Sequence, residues 1–126
     1  MSASLDHTIV HSRDKHAAAT FLARILGLDA PVSVGHFVAV ETGNGVSLDY
    51  DDATDVTPQH YAFLVDDGDF DDILERTKAE GVAYFADAGH RRRGEINTRD
   101  GGRGFYFSDP DGHNLEVLTR TYGSAA

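Results

Sequence analysis

Gly104-Phe105-Tyr106-Phe107-Ser108-Asp109-Pro110-Asp111-Gly112-His113-Asn114-Leu115-Glu116-Val117 is the stretch on which the fold turns. It reads as a strand, a tight turn and a second strand. Pro110 presets φ, and Gly112 frees the backbone for a sharp reversal. In the second strand, alternation sends Leu115 and Val117 to one face and Asn114, Glu116 and Leu118 to the other. The apolar pair is expected to face a helix, which leaves Glu116 on the opposite surface.

An earlier segment repeats this pattern. Asn44-Gly45-Val46-Ser47-Leu48-Asp49-Tyr50 and Asp111-Gly112-His113-Asn114-Leu115-Glu116-Val117 both run polar, Gly, two variable residues, Leu, acid, β-former. Asp49 and Glu116 therefore hold matching places, and such self-similarity points to duplicated modules. The module starts match as well: His7-Thr8-Ile9-Val10 and His60-Tyr61-Ala62-Phe63-Leu64-Val65 are β-prone and led by histidine. A helix is expected after each. The first spans about 13–26, with Ser12 as N-cap, apolar spacing through Ala18, Phe21, Leu22, Ile25 and Leu26, and Gly27 as the stop. The second spans about 69–80, with Phe70, Ile73 and Leu74 on one face and Gly81 as its end. Further strands are expected at 37–41, 46–50, 83–86, 105–107 and 114–118. The chain thus reads as an α+β fold, one domain of two βαβββ modules. Module one covers about 4–52 and module two about 59–122, with a polar linker at about 51–58. Residues 90–103, rich in Gly and charge, show no periodicity and are expected to be functional or mobile.

The 126 residues suffice for a hydrophobic core, and the chain has no cysteine. Any metal must be held by His, Asp or Glu, which suits zinc, iron, manganese, nickel or cobalt. The formal charge of −10 makes nucleic acid and anionic membrane poor partners. One basic run, His90-Arg91-Arg92-Arg93, is either a solvated loop or an anion clamp at a pocket mouth. No signal-peptide core or membrane-length apolar run is visible, so a cytoplasmic location is the default expectation.

If one sheet face packs on helices, the other can gather His7, His60, Glu116 and Asp49. Two imidazoles and a carboxylate hold a divalent ion while leaving positions open. Such an ion polarises a bound oxygen and stabilises developing negative charge. Taken singly, each of these residues reads as an ordinary strand-face side chain.

The turn segment resembles the most recognisable part of the vicinal-oxygen-chelate superfamily, which includes glyoxalases, bleomycin-resistance proteins and ring-cleaving dioxygenases. Leu5-Asp6-His7-Thr8-Ile9-Val10 resembles its first strand, and Phe21-Leu22 with Leu26-Gly27-Leu28 its first helix end. The resemblance implies an open barrel-like sheet with helices outside. It also implies metal ligands at His7, His60 and Glu116, with a fourth from Asp49. The family more often has Glu or Gln at that fourth place. Asp is one methylene shorter, so Asp49 is expected to act as ligand, water-bridged ligand or general base. Tyr106 resembles the substrate-contacting tyrosine of fosfomycin-resistance enzymes, although their potassium loop is not visible here. Asn97 and Arg103 are candidates to orient a polar or anionic substrate group. The plainer reading of Arg103 is an ion pair with Asp100 or Asp109.

The resulting expectation is a homodimeric, metal-dependent enzyme of lyase, isomerase or dioxygenase type. It would act on a small oxygen-bearing substrate, with Asp49 and Tyr106 as catalytic residues. The alternative is a bleomycin-resistance-like protein that sequesters a small drug or natural product. The acidic surface would suit a cationic ligand, whereas the two histidines argue for a metal.

Overall fold

The computed structural model describes residues 2–123 and divides into two compact units, 1–57 and 58–126. The strands form two separate hydrogen-bonded sheets, one in each unit. The fold is α+β; the first unit follows the expected β-α-β-β-β order, and the second has one strand fewer.

In the first unit, β1 (His7–Ser12), α1 (Lys15–Leu26), β2 (Val32–Val34), β3 (Phe37–Glu41) and β4 (Ser47–Asp52) form a four-stranded sheet ordered β1-β4-β3-β2 with one helix. β1 pairs parallel with β4, setting Thr8 beside Leu48 and Val10 beside Tyr50. β3 runs antiparallel to β4, with Val38 opposite Tyr50 and Val40 opposite Leu48. Alternation gathers Val10, Val38, Val40, Leu48 and Tyr50 on one buried face. The helix meets that face with Ala18, Ala19, Leu22, Ala23 and Ile25, all buried. Three alanines in this stripe let the backbone lie close to the sheet.

The start of α1 departs from expectation. Ser12 does not cap it, because β1 continues through Ser12, whose register partner is Asp52. Asp14 is the N-cap: its extended backbone leaves the side chain accepting from the Ala17 N–H at 3.0 Å. Gly27 closes the helix at φ 69°, and its N–H bonds the Ala23 carbonyl. Asp14→Ala is expected to cost about 1 kcal/mol, read as a lower midpoint in chemical denaturation with an unchanged slope.

In the second unit, β5 (His60–Leu64), α2 (Asp67–Ala79), β6 (Gly104–Ser108) and β7 (Asn114–Leu118) form a three-stranded sheet ordered β5-β7-β6. β7 runs parallel to β5 and antiparallel to β6. The expected strand at 83–86 is reduced to isolated bridges from Phe85 to Arg93 and to Tyr106. α2 begins two residues earlier than expected, because the Asp66 side chain caps the Asp69 N–H at 2.8 Å. Leu115 and Val117 are buried with Phe105 and Phe107, on the face that takes α2. Phe70 of α2 meets Phe105 edge-on, with ring centroids 5.5 Å apart. Ile73 and Thr77 complete the helix's buried side, and the Thr77 hydroxyl donates back to the Ile73 carbonyl at 2.7 Å.

The turn between β6 and β7 forms as its residues require. Gly112 adopts φ 85°. The Asp109 side chain accepts from the backbone N–H groups of Asp111 and His113, each at 2.9 Å. Among the described residues, no helix is long and apolar enough to cross a membrane.

Candidate metal and substrate site

Register places the candidate residues of the second unit side by side. Glu116 pairs with Ala62 on β5 and with Tyr106 on β6, and His60 pairs with Asn114. All lie on the sheet face opposite Phe105, Phe107, Leu115 and Val117. His60 Nε2 lies 3.0 Å from Glu116 Oε1. The carboxylate is buried at 3% side-chain exposure, whereas the imidazole is 44% exposed.

The second nitrogen of His60 fixes the chemistry of the first. Nδ1 lies 2.9 Å from the Asn114 carbonyl oxygen. That oxygen can only accept, so Nδ1 carries the proton and, in a neutral ring, Nε2 carries the lone pair. A lone pair and a buried carboxylate oxygen at this distance repel unless a cation accompanies them, either a proton on Nε2 or a metal ion. The donor set suits a metal. Two donors bound to one ion at about 2.1 Å and at right angles to each other lie about 3 Å apart. A ligand histidine normally gives its other N–H to a carbonyl or carboxylate, as His60 does to Asn114.

Two tyrosines extend this network. The Tyr122 hydroxyl donates to Glu116 Oε1 at 3.2 Å. Tyr106 stacks against His60 with ring centroids 5.9 Å apart, and its oxygen accepts from Arg99 Nη1 at 2.8 Å. Burial pushes the Tyr106 phenol up to about 12, and the Arg99 hydrogen bond opposes the shift. A hydrogen bond with Tyr122 and the charge of Glu116 act in the same direction as burial. Tyr106 is therefore a neutral phenol near pH 7, a donor rather than a base.

The loop between α2 and β6 lacks periodicity but is pinned by its own polar groups. The Asp87 carboxylate accepts from the backbone N–H groups of Arg92 at 2.7 Å and Arg91 at 3.0 Å. The Arg92 bond leads in holding that carboxyl below its usual range. His90 stacks on Phe85 at 4.3 Å and donates from Nε2 to Asn114 Oδ1 at 2.8 Å. Arg92 pairs with Glu95 at 3.0 Å.

Asn97 donates to the Ala86 carbonyl at 2.8 Å and accepts from the Arg99 N–H at 3.3 Å, so its amide holds the loop. Arg103 pairs with neither Asp100 nor Asp109. Its guanidinium bonds Asp71 at 2.7 Å and Asp67 at 3.0 Å at the start of α2, and lies over the Phe70 ring at 4.4 Å. Both residues line a small hollow shared with Arg99, Glu116, Arg120 and Tyr122.

The first unit places His7 and Asp49 on one face of its own sheet. Asp49 is the register partner of Ile9, two residues along β1 from His7, and so alternates with it. Asp49 accepts from the Ser47 hydroxyl at 2.7 Å. His7 lies 2.7 Å from Asp6, whose hydrogen bond raises the imidazole above its usual range. Among the described residues, neither unit by itself gathers three His, Cys, Asp or Glu side chains into a metal-holding group.

Sequence reasoning reached His60, Glu116 and Tyr106, which the second unit brings together. It missed Arg99 and Tyr122. The available signal for Arg99 was one more cation in the loop already singled out, and for Tyr122 an aromatic in a polar tail.

A β-α-β-β unit with a histidine on one strand and a glutamate on its neighbour, both facing away from the helix, in a chain that repeats the pattern, defines a class of duplicated α+β proteins. The model of the Glyoxalase/Bleomycin resistance protein/Dioxygenase superfamily matches residues 4–117, and the chain belongs to that superfamily. The solved structure of oxidase ChaP-H2 is 58% identical, with a TM-score of 0.96 over 100% of both chains. Oxidase ChaP-H1 is also 58% identical, with a TM-score of 0.94 over 97% of this chain and 99% of that one. Glutathione transferase FosA of Serratia marcescens is 31% identical over 124 residues, covering 93% of this chain and 81% of that protein.

Proposed function

We propose that this chain is a metal-dependent oxidase of small oxygen-bearing molecules, with His60 and Glu116 as metal ligands. The observation that carries the reading is the His60 Nε2–Glu116 Oε1 approach at 3.0 Å, with Nδ1 committed to the Asn114 carbonyl. The choice of oxidation over lyase or transferase chemistry rests on two relatives named as oxidases at 58% identity, against 31% for the glutathione transferase.

His7 is the third ligand in this reading, by its place in the family pattern. Asp49 is a further ligand or a base, and the protein works as a homodimer. A divalent ion of the zinc, iron, manganese, nickel or cobalt group supplies Lewis-acid polarisation of substrate oxygens. The chain's own groups do the rest. The Tyr106 phenol donates a hydrogen bond to substrate oxygen, and its stack against His60 keeps it beside the ligand pair. The Tyr122 hydroxyl holds Glu116 Oε1 and limits the carboxylate's rotation. Asn97 keeps the loop, with Arg99, in place.

The test strips the protein with EDTA and reloads it with each of Fe2+, Mn2+, Co2+, Ni2+ and Zn2+. One ion per chain should bind. Oxygen uptake with catechol-like or hydroxyquinone probes should follow one redox-active ion. Absence of stoichiometric uptake for all five would remove the metal, and uptake of oxygen equal in stripped and loaded protein would remove its role. Light scattering at micromolar concentration reads the oligomeric state, and a monomer overturns the dimer.

A further inference from the structure

Arg99 differs from Arg92 and Arg103 of the same loop. The chain has 21 Asp and Glu against 11 Lys and Arg, so acidic partners are plentiful. Arg103 takes two of them and Arg92 takes one. Among the described residues, no carboxylate lies within ion-pair distance of Arg99. Its Nη1 donates to a hydroxyl, that of Tyr106, at 2.8 Å. Nε and Nη2 have no partner among the described residues, and these two donors form the side-on edge of the guanidinium that fits a carboxylate in two parallel hydrogen bonds.

The orientation of that edge is set in advance. The guanidinium carbon lies 5.6 Å from the centroid of the Tyr106 ring, and the hydrogen bond to the hydroxyl of the same residue anchors Nη1. The hollow that Arg99 lines also holds Arg103, Arg120, Asp100, Glu116 and Tyr122. A cation with an open fork therefore shares one hollow with the carboxylate that faces His60. A negatively charged group held by that fork lies beside the His60–Glu116 pair.

We infer that the substrate carries a carboxylate and that Arg99 is the residue that binds it, beside the His60–Glu116 pair. The word substrate rests on the reading of the chain as a metal enzyme; the carboxylate site stands on Arg99 alone. Arg99 is thus a specificity residue, and it takes the role first assigned to Arg103, whose charge is already spent on Asp67 and Asp71.

Benzoate and its uncharged analogue benzamide separate charge from shape. Each is titrated into Zn2+-loaded wild type, Arg99→Gln and Arg99→Lys by calorimetry. Arg99→Gln should weaken benzoate at least about ten-fold, the range expected for charge-assisted bonds, and change benzamide less than about two-fold. Arg99→Lys should recover part of the loss, since it keeps the charge but not the fork. Equal weakening of both probes, or of neither, overturns the inference. Arg99 is exposed, so the variants are expected to fold, and matched melting temperatures check this. The same ratios in EDTA-treated protein keep the two readings apart. If wild type takes up no Zn2+, the metal reading fails, and the benzoate-to-benzamide ratio in Arg99→Gln still decides the carboxylate site.

Discussion

Replacing Glu116 by glutamine should lower divalent-metal affinity by about 100-fold or more and remove activity with it. Removing an outer partner of a metal ligand costs about 10–100-fold, and a ligand carboxylate should cost at least as much. Gln keeps the shape and one acceptor oxygen, so the change isolates charge. The loss should also appear without any assay of turnover. A ligand at one hundred times its dissociation constant stabilises the folded state by about 2.7 kcal/mol, about 10 °C for a domain of this length. Wild type should show that rise on metal addition, and Glu116→Gln should not. Metal-free protein should respond in the opposite sense. Glu116 is buried, and a buried carboxylate needs a counter-charge or hydrogen-bond donors, of which the Tyr122 hydroxyl is one. Gln needs no counter-charge, so metal-free Glu116→Gln should melt no lower than metal-free wild type. If the variant keeps wild-type metal affinity, Glu116 is not a ligand.

His60→Ala tests the same centre from the other side and carries a second effect. It leaves the buried Glu116 carboxylate without its imidazole neighbour, at 3.0 Å in the intact chain. An unpaired buried charge is costly, so His60→Ala should lose metal affinity and metal-free stability together. Glu116→Gln should lose only the first. That contrast distinguishes ligand loss from general damage.

The distribution of these effects explains what the sequence disclosed. The Asp-Pro-Asp-Gly turn is local chemistry. Its φ requirement at Gly112 and its side-chain bonds from Asp109 lie within five residues, so they are legible without the fold. The facing of His60, Tyr106 and Glu116 was legible through alternation, once the repeat had named the strands. β3 was legible from end to end, because Phe37–Glu41 is bounded by turn residues on both sides. Other features depended on partners far along the chain. Ser12 looked like a cap, but parallel pairing with Asp52 draws it into β1, and the cap moves to Asp14. β2 has three residues, too few to show a period, and all are exposed. The strand expected at 83–86 is cut short after Phe85, where Asp87 gathers the N–H groups of Arg91 and Arg92 and turns the chain. Arg103 was singled out over Arg99 because nothing in the sequence tells that Asp67 and Asp71, on a helix more than thirty residues earlier, neutralise it. Arg99 is a cation that those acids do not reach.

Truncating Phe105 to alanine should have the largest effect on stability of any single change in the second unit, about 3–5 kcal/mol. The residue is fully buried, and its ring lies 5.5 Å from Phe70, 5.7 Å from Tyr84 and 5.7 Å from Phe107, centroid to centroid. It joins β6 to α2 and to the start of the loop, so the void left by its loss has walls on three elements that cannot all move in. Against a typical total of about 5–15 kcal/mol, the variant should be largely unfolded at moderate denaturant. Phe105→Leu fills more of the space and should cost less, about 1–2 kcal/mol. The milder variant also tests how the two faces of β6 are related. Phe105 points to the helix side and Tyr106 to the ligand side. A loss of packing on one face should leave the other intact while the strand stays paired. Phe105→Leu is therefore expected to melt lower and yet bind metal within about three-fold of wild type, measured well below its melting temperature. A fall in affinity that tracks the fall in stability would mean that the Tyr106–Glu116 face is held by the core beneath it rather than by the β6–β7 ladder.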